Sequence, residues 1–542
     1  MPVIINDTAC KTGYGTSYDD RVNTGFFNLS MAQFMEIQER LLLSQLRRIA
    51  HSPLAQRLIG KIFPISMVEF RNSVPLTTYS DYLPDLVLGT EDSLPEKPHL
   101  WVHTSGGSVS FKQVPYTEAF YNKQLEILMA VLVVACSRDG GHSTLAKGDR
   151  VLFNVAPSPY LSGVLASGAS ESFDLKPVIA PDLHDEMDFK EKVAKGFEIS
   201  LRNGVDILIA MTSVLVKMGN NSGKSSPKSK LIKHLLHPSV LYRFARAFLQ
   251  SKREKRNILP KDLWPVKALI SWGIDTNIYR EHVYKHWGMY PYEFHACSEA
   301  GIMAMQNWNK RDLTFIPQSN FFEFIPETEW LENKRNTYYQ PRTVLFSEVK
   351  PGERYELVIT SFYGMPFIRY RLGHLVRITS LDDEEAQVYL PQMVFETRAD
   401  DLIDIAGFTR ISEKTVAQAI ANSGLDYEDW TIRKEIKQGK STLHLYIELD
   451  DEYRPAEAAK IIHQELKKID RFYADLNFMM DINPLEVTLL RRGTFRDYYT
   501  EKREAGVELA LRKPPRINAP DEVISELTRL GSEQVIYSKI AV

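Results

Sequence analysis

Between residues 32 and 58 apolar side chains recur at helical spacing, at Phe34, Ile37, Leu41, Leu42, Leu46 and Ile49, with polar and charged residues between them. This spacing predicts an amphipathic helix packed on a core. From about residue 98 to 420 the pattern changes. Short apolar runs bounded by Gly and Pro (HLWVHTSGG, RVLFNVAPSP, FFEFIP, RYELVIT, LIDIAG) alternate with helical patterns such as residues 116–135, as sheets flanked by helices require. The last ~140 residues read differently. A helix from about Ile411, an alternating strand over 442–448, a helix over 455–469 with Pro455 in its first turn and a strand over 485–490 predict a small α+β unit. The expected architecture is thus a large α/β N-terminal domain with β-sheets flanked by helices, and a smaller α+β C-terminal domain. The boundary is placed between residues 398 and 399, giving 1–398 and 399–542.

A chain of 542 residues, 44% hydrophobic, has ample material for more than one core. Its 66 basic and 69 acidic residues leave a net charge of -3, so no overall field recruits nucleic acid or an anionic membrane. A small-molecule substrate fits better. Cys10, Cys136 and Cys297 are too few and too scattered for a disulfide framework or a metal site. The opening MPVIINDTACKTGYG lacks a secretory h-region, and the apolar run 127–136 is about half the ~20 residues of a membrane span. A cytoplasmic protein is expected.

Two basic or glycine-bearing stretches read as surface. Residues 217–230, KMGNNSGKSSPKSK, lead to a solvated segment with Lys252, Arg253, Lys255 and Arg256. Within the first, Gly219-Asn-Asn-Ser-Gly-Lys-Ser225 imitates a phosphate loop. It has one residue too few between its glycines, and Pro227 interrupts the helix that should follow.

A better candidate is Thr104-Ser-Gly-Gly-Ser-Val-Ser-Phe-Lys112, after the strand-like run 99–103. Small hydroxyl residues and glycine let backbone N–H groups approach a polyphosphate while a lysine neutralises it, although a serine-rich turn reads similarly. The segment resembles the phosphate loop [ST]-S-G-[ST]-[ST]-G-x-x-K of acyl-CoA synthetases, peptide-synthetase adenylation domains and luciferases, with Gly107 and Val109 where a hydroxyl residue and a glycine are usual. Phe294-His-Ala-Cys-Ser-Glu-Ala-Gly301 is similar to their aromatic-x-x-[ST]-E-x-G segment, and Phe367-Ile-Arg-Tyr-Arg-Leu-Gly-His374 to R-Y-R-x-G-D. Thr397-Arg-Ala-Asp-Asp-Leu-Ile-Asp-Ile-Ala-Gly407 matches the R-x-D-D-x-[IV]-x-x-x-G crossover between domains. Phe321-Phe-Glu-Phe-Ile-Pro326, Arg492-Gly-Thr-Phe495, Arg512-Lys-Pro-Pro-Arg516 and Phe70-Arg-x-x-Val-Pro75 before Tyr79 and Tyr82 resemble the acyl-acid amido synthetases, the family that conjugates auxin and jasmonate to amino acids.

The resemblance implies ATP-dependent adenylation of a carboxylic acid, assisted by Mg²⁺, followed by acyl transfer to an amine such as an amino acid. It implies that Thr104, Ser105, Gly106, Gly107, Ser108 and Lys112 bind the phosphates, Glu299 holds Mg²⁺, and Cys297 and Ser298 flank the adenine. Tyr370, His374 and Arg398 would meet the ribose, Asp400 would be the hinge, and Lys513 would reach the reacting phosphate. His374 stands where the family has an aspartate that accepts from both ribose hydroxyls, a loss of about 2 kcal/mol or more. Cys297 is expected to be a packing residue rather than a nucleophile, and His103, His295 and His374 are motif-adjacent candidates for accepting the amine's proton. The acyl pocket is expected to be assembled from helices, residues 207–218 among them. Two other readings stay open: an aryl- or acyl-CoA ligase, which the segments 364–371 and 398–401 also resemble, and a degenerate nucleotide-binding protein.

Overall fold

The computed structural model describes residues 24–86, 91–104, 112–138, 142–180, 189–221, 237–272, 276–336, 338–399, 402–405, 409–437, 440–450, 453–470, 473–474, 485–507, 512–531 and 536–539. They form two compact units, the first reaching Phe395 and the second running on from Glu396. The architecture is a large α/β unit followed by a smaller α+β unit.

The large unit is organised by one mixed sheet, 12 strands wide among the described residues. From edge to edge the strands are Val344–Leu345, Asn320–Pro326, Arg354–Ser361, Tyr370–Ser380, Gln392–Arg398, Leu313–Phe315, Gly301–Gln306, Tyr292–Cys297, Ala268–Ser271, Ile207–Ala210, Arg150–Asn154 and Lys176–Pro177. Those from Tyr292–Cys297 to Lys176–Pro177 pair in parallel. On its other side Tyr292–Cys297 pairs antiparallel with Gly301–Gln306, so this strand is where the sheet changes character.

Parallel strands covered on both faces read as unbroken apolar runs. Residues 207–218 show what that does to a sequence reading. Ile207–Ala210 is a buried strand and only Thr212–Asn221 is helical, which corrects the expectation of a helix throughout. The expected helix over 32–58 is likewise two helices, Met31–Ile49 and Pro53–Ile59. Pro53 has no N–H to continue the first helix, and the Ser52 hydroxyl accepts from the Ala55 amide to start the second. Helix Glu118–Ala135 is capped by the Thr117 hydroxyl on the Phe120 amide, and every residue from Ile127 to Ala135 is buried. Its apolar run belongs to a core helix. Among the described residues no helix is long and apolar enough to cross a membrane.

The small unit opens with a hairpin, Leu402–Ile405 with Thr409–Ser412. Ile411 therefore lies in a strand, and the helix expected there starts at Glu413, because the Ser412 side chain accepts from the Thr415 amide and ends the strand. A second sheet follows, with four strands among the described residues, ordered Tyr427–Lys437, Lys440–Leu449, Leu485–Leu490, Ile536–Lys539. Helix Pro455–Ile469 has its proline in the first turn, where the missing N–H costs nothing.

Candidate active site

Strand Leu100–His103 pairs antiparallel with Gln113–Tyr116, from Leu100 opposite Tyr116 to His103 opposite Gln113. Residues 104–112 therefore connect two paired strands. Thr104 is buried and Lys112 half-buried, while Ser105, Gly106, Gly107 and Ser108 lie outside the described residues. The hairpin is tied to a segment ~190 positions away. The Tyr116 hydroxyl donates to the Ser298 carbonyl at 2.8 Å, and the Ser298 hydroxyl donates to the His103 carbonyl at 3.0 Å.

Ser298, Glu299 and Ala300 turn the chain between Tyr292–Cys297 and Gly301–Gln306. Gly301 ends the turn at φ +65°, and a Cβ there would stand 2.2 Å from the Gln124 side chain. Only glycine meets both demands. Gln124 uses the space, its Oε1 accepting from the Ile302 amide at 2.7 Å. The Asn320 amide group donates to the Ala300 carbonyl at 2.9 Å. The turn is thus held from three sides, and its Glu299 is only 6% exposed.

Glu299 Oε1 accepts from the Tyr370 hydroxyl at 3.2 Å. Burial and then the Glu299 charge raise the Tyr370 pKa far above the ordinary phenol value, so this hydroxyl remains a donor. Tyr116 is raised by burial, with Cys297 and Glu299 adding to it. Tyr79 is raised by burial, partly offset by its bond from the Gln113 amide, with Glu299 again contributing. Three phenols, Tyr370, Tyr116 and Tyr79, thus stay protonated under the influence of Glu299.

The Arg369-Tyr370-Arg371 segment divides its side chains between two tasks. Arg369 donates to Glu323 from Nε (3.0 Å) and Nη2 (2.8 Å), and from Nη1 to the Arg71 and Val74 carbonyls. Arg371 forks onto Glu356 at 2.9 and 2.6 Å. Both arginines hold the scaffold, and only the tyrosine between them meets Glu299. The FEFIP and FRNSVP segments enter the same network, through Glu323, Arg71 and Val74.

His374 follows on the same strand. Its Nδ1 lies 3.1 Å from His295 Nε2, and Phe395 packs on both rings, at 4.8 Å from His295 and 5.3 Å from His374. Two neutral imidazoles satisfy this contact when one donates and the other accepts. Cys297 is half-buried.

Arg398 ends its strand half-buried, and Asp400 lies outside the described residues. Lys513 is exposed in the small unit. Its neighbour Arg516 lies over the Trp430 ring at 5.1 Å, approaches Glu413 at 3.3 Å and Asp429 at 3.5 Å, and gives its carbonyl to the Ile432 amide. The segment is pinned at Arg516 while Lys513 faces water. In Arg492-Gly-Thr-Phe495, the Gly493 and Phe495 amides both donate to buried Glu448.

Tyr116, Gln124 and Phe395 are site residues that the motifs did not announce. Tyr116, next to the cap residue Thr117, left the faintest trace.

Ligands of open α/β sheets bind beyond the carboxyl ends of strands where the topology switches, and the Glu299 turn leaves the carboxyl end of the switch strand. Along the chain, residues 23–173 match the GH3 family N-terminal domain, 313–398 its central domain and 412–522 its C-terminal domain. The chain belongs to the GH3 family.

Among GH3 relatives, the jasmonoyl–L-amino acid synthetase JAR4 of Nicotiana attenuata is 26% identical over 42% of this chain and 37% of its own length. The 4-substituted benzoates–glutamate ligase GH3.12 of Arabidopsis thaliana is 28% identical over 34% of this chain and 32% of its own. The sequence matches thus span about a third of the length of these curated relatives. In fold the likeness is end to end. The GH3.15 acyl acid amido synthetase complexed with 2,4-DB superposes at a TM-score of 0.67 with 18% identity, covering 97% of this chain and 98% of that one. A 2-hydroxyisobutyryl-CoA ligase in its postadenylation state follows at 0.60 and 14%, covering 96% and 97%. The GH3 chain therefore has the fold of adenylate-forming enzymes.

Proposed function

We propose that this GH3 chain is an amido synthetase that adenylates a carboxylic acid with ATP, releasing pyrophosphate, and then transfers the acyl group to the amine of an amino acid-like acceptor, releasing AMP. The observation that carries the reading is Glu299, a buried carboxylate fixed by Tyr370 at the carboxyl end of the switch strand. Membership of the family, and relatives named for joining jasmonate or benzoates to amino acids, support the substrate classes.

Adenylation brings two anions together, so catalysis is chiefly positional and electrostatic. Mg²⁺, which takes hard oxygen donors, would neutralise phosphate charge, and the buried Glu299 carboxylate fits it. In this reading Tyr370 orients that carboxylate while Thr104, Ser105, Gly106, Gly107, Ser108 and Lys112 hold the phosphates. The Cys297–Ser298 backbone flanks the adenine. His374, braced by His295 and Phe395, takes the ribose position with Arg398. Residues 399–542 pivot about Asp400 to bring in Lys513. The second half-reaction needs no enzyme nucleophile, because the amine attacks the mixed anhydride itself. The fold shared with 2-hydroxyisobutyryl-CoA ligase makes CoA the rival acceptor.

The test is acid-dependent exchange of labelled pyrophosphate into ATP across a panel of aryl, indolyl and fatty acids, then mass spectrometry of products with mixed amino acids or CoA. Exchange with amide product supports the proposal. Thioester product selects the CoA ligase, and no exchange with any acid at saturating ATP removes the enzymatic reading.

A further inference from the structure

The small unit carries a second polar cluster, on the sheet formed by Tyr427–Lys437, Lys440–Leu449 and Leu485–Leu490. His444 stands opposite Glu486 in the parallel pair, and Glu435 is the diagonal neighbour in the antiparallel pair, one residue pair along on the same face. The alternate residues Leu443, Leu445, Ile447 and Val487 are buried and apolar, as the period of two demands. Three adjacent strands therefore bring a histidine and two glutamates to one place.

Their geometry is directed. Glu435 Oε2 lies 2.9 Å and Glu486 Oε2 3.9 Å from the same atom, His444 Nδ1. The other ring nitrogen, Nε2, lies 2.8 Å from the hydroxyl of fully buried Thr488. The Tyr446 hydroxyl stands 2.9 Å from Glu435 Oε1 and 3.1 Å from His444 Nδ1. A nitrogen lone pair facing two carboxylates is repelled unless a cation stands between them, either a proton on Nδ1 or a metal ion. Zinc bonds of about 2.0–2.2 Å put tetrahedral ligands about 3.3–3.6 Å apart. The observed 2.9 and 3.9 Å bracket that spacing, and the three ligand atoms all lie within 4.8 Å of one another. An Nε2–H on Thr488 would orient the imidazole, as outer partners of metal-bound histidines do.

We propose that Glu435, His444 and Glu486 bind a divalent transition-metal ion of the zinc class, which fastens three strands of the small unit. One imidazole and two carboxylates suit Zn²⁺ or Co²⁺ better than Mg²⁺, which keeps an octahedral all-oxygen shell. The three ligands all lie in the small unit, and the proposal stands whether or not the chain adenylates an acid.

The experiment titrates Co²⁺ and then Zn²⁺ into the chelator-stripped full chain without nucleotide and with excess Mg²⁺. It reads the visible absorption of tetrahedral Co²⁺, its displacement by Zn²⁺, and metal content after dialysis. Stoichiometric uptake is expected, lost in Glu486→Gln and His444→Gln and weakened about tenfold or more in Thr488→Val. Circular dichroism verifies that each variant is folded, and Thr488→Val keeps side-chain shape should a ligand variant unfold. Absence of uptake by the folded wild-type chain, or equal uptake by wild type and all three variants, overturns the proposal.

Discussion

The Glu323 carboxylate is 1% exposed and accepts from Arg369 Nε and Nη2, at 3.0 and 2.8 Å, and from the Thr343 hydroxyl at 2.6 Å, with Arg71 Nε at 3.4 Å. Glu323→Gln keeps the shape of the side chain and removes its charge. Two guanidinium groups then face an amide in a place from which water is largely excluded, and breaking a buried pair by removing one partner costs about 3–5 kcal/mol. The pair between Glu329 and Arg342, whose side chains are 13% and 84% exposed, is the control. Glu329→Gln should cost ~1 kcal/mol or less and respond to salt. The assay is urea denaturation followed by hydrogen-exchange mass spectrometry, reading strand Arg354–Ser361 separately from the small unit, because a chain of two units need not unfold in one step. The Glu323 variant should lose protection at markedly lower urea, while the surviving enzyme keeps its KM for ATP. A loss below about 1 kcal/mol would falsify the view that this segment is structural. So would an undiminished melt accompanied by a raised KM, which would put Glu323 on the substrate.

Three further outcomes are expected. Glu299→Gln retains a partner for Tyr370 and loses the charge, so pyrophosphate exchange should fall about a hundredfold or more; exchange within a few-fold of wild type would remove Glu299 from the metal. His374→Asp restores a charged acceptor beside His295 and should lower the KM for ATP about tenfold, as a charge-assisted hydrogen bond of about 1.5 kcal/mol requires; an unchanged KM across the pH range would place the ribose elsewhere. In the small unit, burial and then Lys467 push the His463 imidazole from 6.5 down to about 4. The unfolded chain then takes up this proton at higher pH than the folded one. Stability from this group is complete above about 6.5, falls as pH drops toward 4 and changes no further below that. Urea midpoints of the small unit at about pH 7 and pH 4.5 should differ in wild type and less in His463→Gln, and equal differences would refute the assignment.

Local chemistry was legible in the chain itself. The strands over 442–448 and 485–490 and the helix over 455–469 follow from alternation, spacing and a first-turn proline, and each formed where the pattern put it. The alternation of short apolar runs with helices likewise implied an α/β body, because those runs have no other way to bury both faces. Where two local signals competed, the boundary was lost. Ser52-Pro53 broke a continuous helical period, and Ser412 turned a strand into a helix two residues past Ile411.

Contacts across long sequence separations had no local signature. Nothing near Arg369 says that its charge belongs to Glu323 while Tyr370 belongs to Glu299, and nothing near His374 names His295, 79 positions away, as its partner. The motifs marked which segments matter. Register in the large mixed sheet, and the burial that makes an unpaired charge costly, decided which side chains from those segments meet and which only hold the frame.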